Sequence, residues 1–358
     1  LTLASTGAAF AAPVAYDLFA KLLGTQLSAI AAADLNGDGA IDLAVGESQT
    51  SQVIVLLKSP PPPMPDMAGR DAGAPPPAFT AGAPYRVAPL PRTIAAADLN
   101  GDGKPDLAVG GPGKRLTVLP GAGDGTFGAA TDVLAGGDPW ALATGDLDRD
   151  GRIDLAAANI GDSSIHLLFQ DGSGALATAI SVEAQYPASA IVVGDWNGDT
   201  LPDLALAGAA GGAEIIPLAG RGQFGTPISA AFGYAPVALA AADLDGDGAL
   251  DLACADVGHN NDGKTGGVYT LRNAGLGAFL PPAVTLLGTG VRAIAVADFD
   301  GNGRTDIAAA NLYADSVSIL LGAPGGTLAP EPAKRTGRGP FALAAGDLDR
   351  DGHADLVV

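Results

Sequence analysis

Apolar positions along this chain come in short stretches, each closed by a cluster of Gly, Asp and Asn. Small-residue stretches such as Ala29–Ala33, Ile94–Ala97 and Ala238–Ala242 lead into an acidic string. A second stretch follows it, as in Asp106-Leu-Ala-Val and Asp251-Leu-Ala-Cys. A third alternates β-favouring residues: Val53–Leu57, Leu116–Leu119, Ile165–Phe169, Glu214–Leu218, Val268–Leu271 and Val317–Leu321. A fourth comes after a Gly-rich turn, as in Gly125-Thr-Phe-Gly and Gly222-Gln-Phe-Gly. Apolar runs this short, separated by turn signals, predict strands rather than helices.

The acidic string has the form Asp-apolar-Asp/Asn-x-Asp/Asn-Gly-x-x-Asp and begins at Asp34, Asp98, Asp146, Asp195, Asp243, Asp298 and Asp347. Successive starts lie 64, 48, 49, 48, 55 and 49 residues apart, a unit of 48–49 residues with two insertions. Four strands in a unit of that length are a propeller blade. The expectation is an all-β, seven-bladed β-propeller forming a single domain over 1–358. Its blades fall near 24–91, 92–138, 139–187, 188–235, 236–289 and 290–338, and the last combines 339–358 with 1–23. Residues 1–23 would supply the strands that the last unit lacks, with Leu1–Ser5, Phe10 and Asp17-Leu18 matching Leu116–Pro120, Phe127 and Asp132–Leu134. A competing reading makes Ala15–Leu23 an amphipathic helix. The Pro-rich segment 59–77 cannot join a ladder and reads as a surface excursion. His259–Gly267 reads as an insertion between two strands of its blade.

Composition narrows the classes. Hydrophobic residues make up 47 % of the 358, mostly small, and aromatics only 5 %. A single cysteine excludes an internal disulfide framework and a Cys-based zinc site. No apolar run is long enough to span a membrane. A formal charge of −20 opposes nucleic acid and anionic lipid. It suits a protein that holds cations. The N-terminus shows no basic-then-apolar leader, so an extracellular, cell-surface or periplasmic chain would have lost its signal peptide.

The strings carry the chemistry. Position 1 is Asp34, Asp98, Asp146, Asp195, Asp243, Asp298 or Asp347, and position 9 is Asp42, Asp106, Asp154, Asp203, Asp251, Asp306 or Asp355. Position 3 is Asn36, Asn100, Asp148, Asn197, Asp245, Asp300 or Asp349. Position 5 is Asp38, Asp102, Asp150, Asp199, Asp247, Asn302 or Asp351. Oxygen donors at 1, 3, 5 and 9 of a tight loop suit Ca²⁺, which takes six to eight oxygens. Twenty-four of the 39 acidic side chains stand in these strings, so seven structural Ca²⁺ would move the charge from −20 to −6. The string is spelled like the first half of an EF-hand, but no Glu stands at position 12 and its flanks are strands, so it is not one. Thr200 replaces the position-6 Gly and Asn302 a position-5 Asp, which weakens those two loops.

Gly123-Asp-Gly-Thr-Phe-Gly, an apolar strand, and then Asp146-Leu-Asp-Arg-Asp-Gly-Arg-Ile-Asp-Leu-Ala resemble the FG-GAP/VCBS repeat of integrin α-subunit propellers and seven-bladed lectins. The resemblance covers essentially the whole chain outside the Pro-rich segment. It implies a calcium-loaded propeller whose metal loops lie on one face, with partners on the other.

For function, no catalytic constellation emerges from His166, His259, His353 or Cys254, and the chain is expected not to be an enzyme. Arg92, Trp140, Tyr186, Tyr234, Arg292, Tyr313 and Phe341 fall in segments that should lie on the face away from the metal loops. They are candidate ligand-binding residues for a glycan or an extracellular protein. The expectation is a monomeric, noncatalytic, calcium-stabilised recognition or adhesion module. The alternatives are a secreted propeller enzyme, such as a polysaccharide lyase or hydrolase, and a purely structural domain of a larger surface protein.

Overall fold

The computed structural model describes residues 26–58, 79–176, 180–208, 211–230, 233–258, 266–287, 290–348 and 350–358, and the backbone of 2–4, 6–7, 9–10 and 14–15. The Pro-rich segment, most of the insertion at His259 and all but Ala15 of the stretch Ala15–Leu23 read alternatively as a helix lie outside these residues, as does Asp349.

The described chain is all β, and every strand pairing within a blade is antiparallel. The second blade shows the plan: Thr93–Ala97, Asp106–Gly110, Arg115–Leu119 and Thr131–Leu134 pair in that order. The third repeats it with Pro139–Gly145, Asp154–Asn159, Ser164–Leu168 and Ile180–Glu183. The first, fourth, fifth and sixth blades begin at Leu27, Ala188, Pro236 and Val291.

The count of seven blades needs correction. Six full blades are each made from one continuous run of chain, and the two ends do not add an equal seventh. They meet in a small sheet whose strands have only two or three residues: Ala344–Gly346, Asp355–Val357, Thr2–Ala4 and Val14–Ala15, in that order. Leu3 pairs with Val357 and Thr2 with Ala15. Phe10 pairs with Thr6 in a two-stranded hairpin, the counterpart of the Gly121–Phe127 bridge in the second blade, as the match to Phe127 predicts. The fourth strand of this sheet, among the described residues, is Val14–Ala15; Asp17-Leu18 lies outside them. Ala344–Gly346 touches the first strands of both the sixth and the first blade, so this reduced sheet sits between them.

Packing follows from the residue sizes. First strands lie side by side around the axis, and their Ala-rich sequence lets the backbones converge. Second strands are buried along their length, as in Asp42–Glu47 and Asp154–Asn159. The core is divided into clusters between neighbouring sheets. One holds Ala29, Leu35 and Val55 of the first blade against Ile94, Leu107 and Phe127 of the second. Another joins Leu43 and Leu56 to Leu348 and Val357 of the terminal sheet.

Candidate metal centres

Every acidic string forms the bend between first and second strands, at one end of the ring. The apolar residue at position 2 anchors it: Leu35, Leu99, Leu147, Trp196, Leu244, Phe299 and Leu348 are all buried. Above that anchor the chain curls around the position-1 carboxylate. Asp34 Oδ1 accepts the N–H groups of Gly37 and Asp38 at 2.8 and 3.2 Å, and Oδ2 that of Gly39 at 2.7 Å. Asp98, Asp195, Asp243 and Asp347 repeat the arrangement with their own loops.

The curl needs two residues with positive φ, at positions 4 and 6. Position 6 is occupied by Gly except at Thr200, which adopts φ 69°. Position 4 is Gly37, Gly101, Gly198, Gly246 and Gly301, but Arg149 and Arg350 take φ 61° and 63° in the other two loops. The sequence reading passed over position 4, although five glycines at one register were the signal.

Position 9 is the buried pin. Asp42 Oδ2 accepts the N–H of Leu35 at 3.0 Å and Oδ1 that of Lys58 at 2.7 Å, joining the bend to the third strand. Asp106, Asp154, Asp203, Asp251 and Asp306 do the same. Burial outweighs these hydrogen bonds and raises the carboxyl pKa of Asp42, Asp106 and Asp306, and pushes Asp154, Asp203 and Asp251 up to about 6.

Three loops bring carboxylates together. Asp146 with Asp148 and Asp154, Asp243 with Asp245 and Asp251, and Asp298 with Asp300 and Asp306 each place one oxygen apiece within 4.8 Å of the others. Position 5 is not among them. Asp150, Asp199, Asp247 and Asp351 instead accept the backbone N–H two residues on, capping the turn. Asp38, Asp102 and Asn302 cap theirs alike. Where position 3 is Asn, the amide ties the loop itself: Asn36 donates to Asp38, Asn100 to Asp106, and Asn197 to Asp199.

The residues present fit a hard cation. In the Asp146 loop, Asp148 Oδ2 pairs with Arg221 at 3.0 Å, but its Oδ1 is buried with no hydrogen-bond partner. Burial, then the neighbouring Asp150, raises its pKa. A buried, unsatisfied carboxylate oxygen beside two more carboxylates is costly unless a cation completes it.

Among the described residues, loops are also covered by the neighbouring sheet. The turn between third and fourth strands of one blade reaches the loop of the blade before it: Gly125 N–H to Leu35 O at 3.1 Å, Asn273 Nδ2 to Trp196 O at 2.7 Å, and Arg221 to Asp148. Arg221 also lies over the ring of Phe169, 4.5 Å from its centroid. Arg149 and Arg350 bind the loops that follow theirs, through Thr200 and Asp38.

A model described as an FG-GAP-like repeat matches residues 98–157, 146–206, 195–254 and 298–358, more than half of the chain. The chain belongs to the FG-GAP-like repeat family. An EF-hand model also matches the FG-GAP loop at residues 27–44. That segment runs from strand Leu27–Ala33 to strand Asp42–Glu47, so the likeness is one of loop spelling and not of flanking helices. No curated protein matches the chain in sequence. Solved structures similar to this FG-GAP propeller include BBS1N in complex with ARL6DN, soaked with mercury, at 13 % identity and TM-score 0.59. That match covers 91 % of this chain and 90 % of the other. A candidate 6-phosphogluconolactonase of Bacteroides fragilis NCTC 9343 is similar at 16 % identity and TM-score 0.60, covering 88 % and 85 %. At such identities these likenesses show the fold alone.

The other end of the FG-GAP propeller carries the candidate ligand residues. Arg92 lies over Trp140, 4.1 Å from the ring centroid, and Arg292 over Phe341 at 4.6 Å. Tyr313 stands beside the second pair. Its ring packs on Gly290, where a Cβ would meet it at 2.4 Å. Tyr186 and Tyr234 are exposed in the connections leading into the fourth and fifth blades. No helix among the described residues is long and apolar enough to cross a membrane.

Proposed function

We propose that this chain is a noncatalytic recognition propeller, stabilised by calcium in its FG-GAP loops and binding a glycan or protein ligand on the opposite face. The observation that carries the reading is the division of labour between the two ends. Convergent carboxylates occupy one end, and exposed rings beside cationic side chains occupy the other, with Phe341 41 % and Tyr313 69 % exposed. Rings left open to water beside polar groups favour sugar or peptide surfaces, which combine apolar faces with hydrogen-bonding edges.

Calcium supplies charge neutralisation and cross-linking, not chemistry on a substrate. Asp146, Asp148 and Asp154, with their counterparts at Asp243 and Asp298, are the residues that would hold it. Once neutralised, the loops stay closed against the neighbouring blades and keep the far face in register. Sites of this kind, with modest affinity, suit millimolar extracellular calcium, which favours a secreted or periplasmic setting and a monomer acting alone. The single thiol supports the noncatalytic reading: Cys254 is fully buried and burial pushes its pKa well up, away from nucleophile range. A glycan array probed with calcium-loaded protein tests the glycan form. Signal that chelation abolishes and calcium restores is expected; a blank array overturns it.

A further inference from the structure

The face away from the FG-GAP loops is built around two arginines whose charge is not consumed. Arg92 and Arg292 stand at the same register of their repeats, six residues before the first Asp of the string. The rings that cover them, Trp140 and Phe341, stand at that register in the next repeat. One geometry is therefore made twice, across two blade boundaries well separated around the ring. Among the described residues neither guanidinium meets a carboxylate, whereas Arg152, Arg221 and Arg350 are all paired with loop aspartates at the other end. Carboxylates of this face are drawn to other partners than these arginines: Asp138 accepts from Gly113, Asp162 from Ser164, Asp315 from Gly339, Asp256 from Ala235 and Gly258, and Glu47 from Thr50 through Oε2, its Oε1 being buried without a hydrogen-bond partner. Arg292 is also partly buried, which lowers its pKa against a small opposing effect of Tyr313. In a chain of −20, two arginines kept clear of available acids are a charge held for something outside the chain.

Stacking fixes what that something must present. A ring covers one face of each guanidinium, and among the described residues no hydrogen bond occupies its in-plane N–H groups, the edge that takes a carboxylate through two parallel hydrogen bonds. Beside Arg292 the exposed parts of Phe341 and Tyr313 offer flat apolar surface next to the charged edge. A ligand matching both has an anionic group on the rim of a ring with a C–H face. Two such sites on separate blades favour a stiff chain that repeats the group. We propose that Arg292 with Phe341 and Tyr313, and Arg92 with Trp140, are carboxylate-binding subsites for a uronate-bearing polysaccharide. This rests on the recognition reading above and sharpens its ligand to an acidic glycan. An acidic peptide supplies carboxylates without the flat C–H faces, which makes it the lesser match.

The test is calorimetric titration of the full chain at fixed free calcium with octasaccharides of hyaluronan, polygalacturonate and alginate. Their carboxyl-reduced forms and a polyaspartate peptide serve as comparators. At least one uronate octasaccharide should bind at least tenfold tighter than its reduced form. Arg292→Gln should remove most of that preference, and Arg292→Lys, which keeps charge but loses the fork, should fall between. Tyr313→Ala should weaken acidic and reduced sugars alike. All three variants should melt as the parent does in calcium, since none touches an FG-GAP loop. Equal binding of acidic and reduced sugars overturns the subsite while leaving glycan recognition standing. Tighter binding of polyaspartate, an unchanged preference in Arg292→Gln, or no binding by any uronate also overturns it.

Discussion

At the residue scale, the FG-GAP loops are governed by backbone sterics as much as by charge. Positions 4 and 6 are both left-handed, and Thr200 is a β-branched residue where six other loops have Gly. A non-glycine residue there costs on the order of 1–3 kcal/mol, whereas Gly gives back roughly 0.5–1 kcal/mol in unfolded-chain entropy. Thr200→Gly should therefore stabilise the protein by about 1 kcal/mol, net of the exposed bond that Arg149 makes to the hydroxyl. A higher midpoint in urea, with unchanged slope, is the expected result. The sequence already marked Thr200 as an exception. It did not show that position 5 turns aside to cap the bend, or that position 9 is a buried pin, because spacing alone does not say which way a carboxylate points. The Asp298 loop, whose charge Asn302 lowers, still brings Asp298, Asp300 and Asp306 together as the other two complete triads do.

At the scale of elements, a loop whose covering turn is described belongs to two sheets. The bend is formed by its own first and second strands and closed by a turn from the next blade, as Arg221 and Asp148 show. Removing calcium should thus loosen a bend and the following blade's turn together. Hydrogen exchange in EDTA should rise in residues 146–152 and 219–224 as a pair, while the buried second strand Asp154–Asn159 stays protected. Exchange that rises uniformly through the blade would show that the loops are not the coupled unit. Strands were legible because each repeat restates the same period-2 pattern and the same turn residues. The terminal sheet was not, because its strands of two and three residues are too short to carry a pattern. Matching residues 1–23 to a full-length unit therefore counted a seventh equal blade, although the pairing of Phe10 with Thr6 does follow that of Phe127 with Gly121.

For the molecule as a whole, the six full blades and the reduced sheet between the ends share one electrostatic problem, and pH exposes it. Asp154, Asp203 and Asp251 have folded pKa values of about 6 against an ordinary 3.8, and Asp42, Asp106 and Asp306 move the same way. Without metal the folded state therefore binds more protons than the unfolded state between about pH 4 and 6. These carboxylates make stability fall as pH rises through that window, while His166, whose pKa burial lowers, works in the opposite sense just below its ordinary 6.5. Asp124, Asp162 and Asp171, whose pKa values are lowered by hydrogen bonds to neighbouring hydroxyls, act in the opposite sense but only below the ordinary carboxylate range. Calcium held in these loops as proposed would reverse the slope, because it would bind only the deprotonated carboxylates and each proton added at low pH would displace it. Melting temperatures measured from pH 4.5 to 7 should fall with pH in EDTA and rise with pH in millimolar calcium, so that the gap between the two curves is widest at neutral pH. Parallel curves would mean that the acidic bends are ordinary turns and that no cation links the sheets.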